Sequence, residues 1–78
     1  MDDSEIRDRI TALTDELKAL RELEVGAVPG GSARLEELQV AIDQHWDLLR
    51  QRQAHEEFGT NPDAAGIRPA GEVEGYLQ

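Results

Sequence analysis

From Asp3 to Val25 the apolar residues Ile6, Ile10, Leu13, Leu17 and Leu20 recur at alternating steps of four and three. That is the spacing of one face of an α-helix. On a wheel of about 100° per residue the five side chains fall within about 80°, the narrow seam of a coiled coil. The polar residues agree with this reading. Asp2 and Glu5 have capping-box spacing, with Asp3 and Ser4 as competing N-caps. Asp3/Arg7 and Glu5/Arg9 are i,i+4 pairs in the favourable order. Gly26 suits the position just past a helix, and Pro29 resists continuation. The pattern predicts a helix over about 3–25 and a linker over 26–32.

A second periodic stretch predicts a helix over about 33–58, with Ser32 as its cap. Its main stripe is Leu35, Leu38, Ile42, Trp46 and Leu49, widened on one side by Ala41 and Leu48. The set covers roughly 160° of the wheel, more than one partner helix occupies. Gly59 and the run Asn61-Pro62-Asp63 then end the helix. Two amphipathic helices joined by a short linker most simply make an antiparallel αα-hairpin. The rest, 59–78, holds Gly59, Gly66, Gly71 and Gly75 with Pro62 and Pro69, and reads as an irregular tail.

At 78 residues the chain is one small domain, and a core of this size needs help from other cover. With no cysteine, disulfides, thiol chemistry and cysteine-bound metals are excluded. The spare flank of the second helix must therefore be covered by the tail, through Ile67, Val73, Tyr76 and Leu77, or by a second hairpin. The expected fold class is all-α: a helical hairpin with a tail, dimerising into a four-helix bundle. Net charge is −9, against the clustered cations that nucleic-acid binding needs. No apolar run approaches the roughly 20 residues of a membrane span. An acidic start, Met1-Asp2-Asp3, is unlike a secretory signal, so a soluble, cytoplasmic protein is expected.

Each chemically suggestive residue has a functional and a structural reading. His45 lies near the middle of the second stripe. It is a metal ligand or proton switch, or a seam residue that fixes register as a buried Asn does. Its neighbours three and four residues away are Ala41, Ile42, Leu48 and Leu49, so a metal site would need a second His45 across a symmetry axis. Asp43 and Asp47 are paired carboxylates at i,i+4. Acid–base work would require a desolvated cleft; the plainer reading puts them beside a solvated face, neutralised by Arg50. Arg50 and Arg52 are expected to pair with first-helix acids such as Asp15, Glu16 or Glu22, or with a partner's carboxylate. Trp46 is an interface anchor or a core filler. Tyr76 and Leu77 form a short motif for another protein's groove, or pack on the chain's own helices.

The residues Met1-Asp2-Asp3, Asp43-Gln44-His45-Trp46-Asp47-Leu48-Leu49-Arg50-Gln51-Arg52, Asn61-Pro62-Asp63 and Val73-Glu74-Gly75-Tyr76-Leu77-Gln78 carry a resemblance to a known family. Across nearly its whole length the chain resembles the small actinobacterial proteins grouped as domain of unknown function 2630. The resemblance implies a stand-alone helical protein and supplies no catalytic or binding residues. The residues themselves point to a non-catalytic scaffold or adaptor that self-associates, with no cofactor and no metal. Its expected partners are itself and an unknown cytoplasmic protein, not nucleic acid or a membrane. The expected interface is Leu38, Ala41, Ile42, His45, Trp46, Leu48, Leu49, Val73, Tyr76 and Leu77. The alternative is a metal- or pH-responsive module built on His45 across an oligomer axis.

Overall fold

A computed structural model describes residues 1–23 and 29–77, with the side chains of 76 and 77 excluded. The expected stop at Gly26 and the contacts of the Tyr76 and Leu77 side chains lie outside the described residues. The architecture is all-helical: α1 (Asp3–Glu22), α2 (Gly31–Glu57), a single 3-10 turn (Pro62–Ala64) and α3 (Ala70–Leu77).

The local signals act largely as expected in α1. Asp2 is its N-cap: the Glu5 N–H donates to Asp2 Oδ1 at 2.8 Å, and the Asp2 N–H donates to Glu5 Oε1 at 3.5 Å. The box satisfies two amide donors that a helix start leaves without partners. At α2 the expectation fails in detail. Ser32 does not cap it; Gly30 is the N-cap, in the left-handed region at φ 73° and without a side-chain cap. A glycine there lets the backbone turn sharply after Pro29, so the helix begins at Gly31, ahead of Ser32.

The far end of α2 follows the signal. Gly59 adopts φ 72°, while the Thr60 N–H donates to the His55 carbonyl at 2.8 Å and the Gly59 N–H to that of Glu56 at 3.3 Å. These two bonds are the Schellman arrangement, which needs a left-handed residue where Gly59 sits.

α1 and α2 pack antiparallel. Asp3 meets Arg52 at one end of the pair and Glu16 meets Arg34 at the other. Ile6 and Ile10 from α1 join Leu48 and Leu49 from α2 in one buried cluster, with Ala65 of the tail against it. Leu38 and Val73 are also fully buried.

The segment expected to be irregular is partly ordered helix, and it folds back on its own chain. Asn61 accepts from the Asp63 N–H at 3.0 Å and starts the 3-10 turn at Pro62. The single Pro69 carbonyl accepts from the Glu72 and Val73 N–H groups as α3 begins; proline needs no donor partner at a helix start. α3 and the 3-10 turn both contact α2, and among the described residues α1 does not touch α3. Helix α2 thus lies between α1 and the tail, which accounts for its broad apolar stripe. Of the tail residues expected to cover it, Val73 does so, while Ile67 remains 52% exposed.

Candidate functional site

The polar side of α2 presents Gln44, Asp47 and Gln51 at steps of three and four, so one stripe faces the returning tail. Asp47 is fully buried. Arg68 grips it with two donors, Nε to Oδ2 at 2.9 Å and Nη2 to Oδ1. Gln51 Nε2 also donates to Asp47 Oδ2, at 2.9 Å. A bidentate guanidinium matches both carboxylate oxygens and fixes orientation as well as charge.

The same stripe holds the tail backbone. Gln51 Nε2 donates to the Gly66 carbonyl at 2.8 Å while its Oε1 accepts from the Gly66 N–H at 3.5 Å. Gln44 Nε2 donates to the Arg68 carbonyl at 3.1 Å. Peptide groups that would otherwise lose water on docking find partners here, which removes much of the cost of laying an irregular segment on a helix.

A second junction ties the tail to both long helices. Arg52 Nε donates to Asp3 Oδ1 at 2.6 Å and its Nη1 to Asp63 Oδ1 at 3.0 Å. The Asp3 hydrogen bond first, and that of Asp63 second, hold the guanidinium's pKa above its already high ordinary value. Arg34 is raised likewise by Glu16 and then Glu37, in a more exposed setting. In α3 the Glu74 carboxyl lies against Asp43. Its pKa is raised by their hydrogen bond, then by burial and by the Asp43 charge. Glu74 Oε1 is buried and accepts no hydrogen bond.

Several expectations are corrected by this geometry. Asp47 does not lie beside a solvated face; it is enclosed, and Arg68 holds it. Arg52 reaches neither Asp15, Glu16 nor Glu22. An antiparallel hairpin brings the end of α2 to the start of α1, so its partner there is Asp3. Trp46 does not fill the core: it is 42% exposed. Of the expected interface, Leu38, Leu48, Leu49 and Val73 are buried by the chain itself, whereas Ala41, Ile42 and His45 are half-buried. Arg68, Gln44, Gln51, Asp3 and Asp63 were not among the expected site residues.

His45 Nδ1 donates to the Ala41 carbonyl at 2.6 Å, because a carbonyl can only accept. A neutral ring therefore carries its lone pair on Nε2. The ring lines a shallow groove with Arg9, Ala12 and Leu13. His55 Nδ1 donates to Thr60 Oγ1 at 2.7 Å, and that hydroxyl donates to the His55 carbonyl at 3.2 Å. The Thr60 proton is thus engaged in ending the helix. An open groove of about 450 Å³ runs past Arg50, Gln51, Ala54, Arg68 and Glu72. It continues along Gln51 and Ala54 to Phe58, which is 78% exposed. Among the described residues no three His, Cys, Asp or Glu side chains form a metal-binding group. No described helix is long and apolar enough to cross a membrane.

These features define a small three-helix protein whose C-terminal segment is latched to the middle helix by Arg68 on the buried Asp47 and by Asp63 on Arg52. The chain belongs to the family described as protein of unknown function (DUF2630), whose model matches residues 2–78. It is similar to the uncharacterized protein Rv0898c of Mycobacterium tuberculosis (strain ATCC 25618 / H37Rv), at 43% identity over 77 residues, covering 95% of this chain and 88% of the relative. The uncharacterized protein Mb0922c of Mycobacterium bovis (strain ATCC BAA-935 / AF2122/97) matches with the same identity and coverage. No solved structure matches the chain.

Proposed function

We propose that this chain is a non-catalytic helical protein that acts through protein–protein interaction and associates with itself. The observation that carries this reading is the incompletely covered half of the hairpin. Leu13, Leu17, Leu20, Leu35 and Ile42 are only half-buried there, Trp46 is 42% exposed and Leu23 is 64% exposed. A set of apolar side chains with a tryptophan among them is the composition of a contact surface. A second copy offers the same seam in return, and two hairpins stacked on it make a four-helix bundle. Each copy carries −9, so mutual repulsion opposes association and salt relieves it. Sedimentation equilibrium tests the reading. Mass rising from monomer towards dimer with concentration, more readily at high salt and less readily in Trp46→Ala, is the expected result. A monomer at every concentration and salt would end it.

A second reading, a metal- or pH-responsive module using His45, draws on the Nδ1 bond that places the neutral ring's lone pair on Nε2. Arg9 in the same groove repels a cation, which makes this the weaker reading. Zinc titration calorimetry decides it: heat in the wild type that His45→Ala abolishes supports it, and no heat in either protein ends it.

A further inference from the structure

The interface between α2 and α3 is crowded with carboxylates. From α2 come Asp43 and Asp47, and from the tail Glu72 and Glu74. Arg68 serves Asp47 through two donors and Glu72 through a third, at 3.4 Å. Arg50 lines the groove beside Glu72. Facing Glu74 itself is another acid, Asp43. One Glu74 oxygen is buried with no donor, an arrangement that costs free energy when the group is ionised and much less when it carries a proton. Two carboxyls in contact share a proton readily and repel when both are charged. Among the described residues the backbones of α1 and α3 do not approach each other, so the pair is set chiefly by α2 and α3.

We propose that α3 is a proton-sensitive latch: it docks tightly on α2 while the Asp43–Glu74 pair holds a proton, and loosens when both carboxyls ionise. Arg68 keeps the segment before α3 attached in either state, so the movement is confined to Ala70–Leu77. Loosening uncovers Val73, which is otherwise fully buried, and the strip of α2 beneath it. The sign follows from Glu74. Its pKa is raised on docking, so its contribution to docking is complete below the undocked value and is lost as pH rises through the docked one.

Methyl-detected NMR of the full-length protein tests this. Val73 methyl shifts are followed from about pH 3.5 to about pH 8, spanning the ordinary glutamate range, together with the Glu74 carboxyl carbon. In the wild type the Val73 shifts are expected to move from docked towards random-coil values as pH rises. They should move in step with a Glu74 titration displaced above the ordinary glutamate position. Glu74→Gln, which stays neutral, should keep the docked shifts throughout. Asp43→Asn should bring the Glu74 titration back down. If Glu74→Gln does not fold, the wild-type carboxyl titration and Asp43→Asn still decide the matter. Val73 shifts that ignore pH would overturn the proposal. So would a Glu74 titration at the ordinary position, or an unchanged pH response in Glu74→Gln, which would assign the effect to overall charge.

Discussion

The two ends of the hairpin differ although one apolar seam runs through both. At the end where α1 begins and α2 finishes, Ile6 and Ile10 are buried against Leu48, Leu49 and Ala65, and Arg52 is enclosed between Asp3 and Asp63. Towards the linker, Leu13, Leu17 and Leu20 continue the same α1 stripe but are only half-buried. The ion pair at that end, Arg34 with Glu16, is about half exposed on both sides. Leu38 is the exception, being fully buried. Residue type does not explain the contrast, since leucine and isoleucine are equally apolar. Cover does: the Pro62–Ala64 turn and Ala65 cap one end of the α1 seam, whereas α3 packs on α2 and leaves the linker-ward part of α1 without a described third layer.

Substitutions that ought to be equivalent by sequence therefore separate the ends. Ile6→Ala removes a fully enclosed side chain and should cost about 3–4 kcal/mol in urea unfolding. Leu17→Ala, on the same stripe, should cost less, about 1–2 kcal/mol, because part of its surface is already in water. Equal losses would show that both ends are covered alike.

Next in size is the latch. Arg68→Ala leaves the Asp47 carboxylate buried with Gln51 as its remaining donor among the bonds described above. Breaking an enclosed pair costs about 3–5 kcal/mol. Arg68 is 38% exposed, so water can replace part of what it gave, and about 2–3 kcal/mol is expected. Asp2→Ala, which loses the capping box at the exposed start of α1, should cost about 1 kcal/mol by the same measurement. The smallest effect separates the two arginines. Raising salt to about 1 M should erase the difference between wild type and Arg34→Gln, yet leave Arg52→Gln clearly less stable, because enclosed pairs are poorly screened. Equal salt response in the two variants would place Arg52 at the surface.

The helices were legible in the sequence because their signals are local. A period of four and three, an Asp2/Glu5 box and a glycine before Asn61-Pro62 each act within a turn or two of themselves. Ser32 misled because Gly30, with its positive φ, starts the helix earlier than the better capping side chain could. The site was much less legible, since its partners are remote: Asp47 and Arg68 are 21 positions apart and Asp3 and Arg52 are 49. Asp43 and Asp47 look solvated when only α2 is considered; when the tail returns Asp47 becomes enclosed and Asp43 half-buried. One signal was present, the polar stripe Gln44, Asp47, Gln51 opposite the apolar one. The excess width of the α2 apolar stripe likewise pointed to a third layer, and α3 supplies part of it through Val73.

The central claim is that the tail belongs to its own chain's fold and is held there by Arg68. Residue-resolved amide exchange in wild type and Arg68→Ala, both as monomers in dilute solution at about pH 4, in the ordinary glutamate range where the Asp43–Glu74 pair keeps its proton, tests it most directly. Protection of the Val73 and Glu74 amides in the wild type, lost in the variant while those of Leu48 and Leu49 persist, is the predicted result. Wild-type α3 amides that exchange as fast as an unfolded chain, or protection that survives without Arg68, would contradict it.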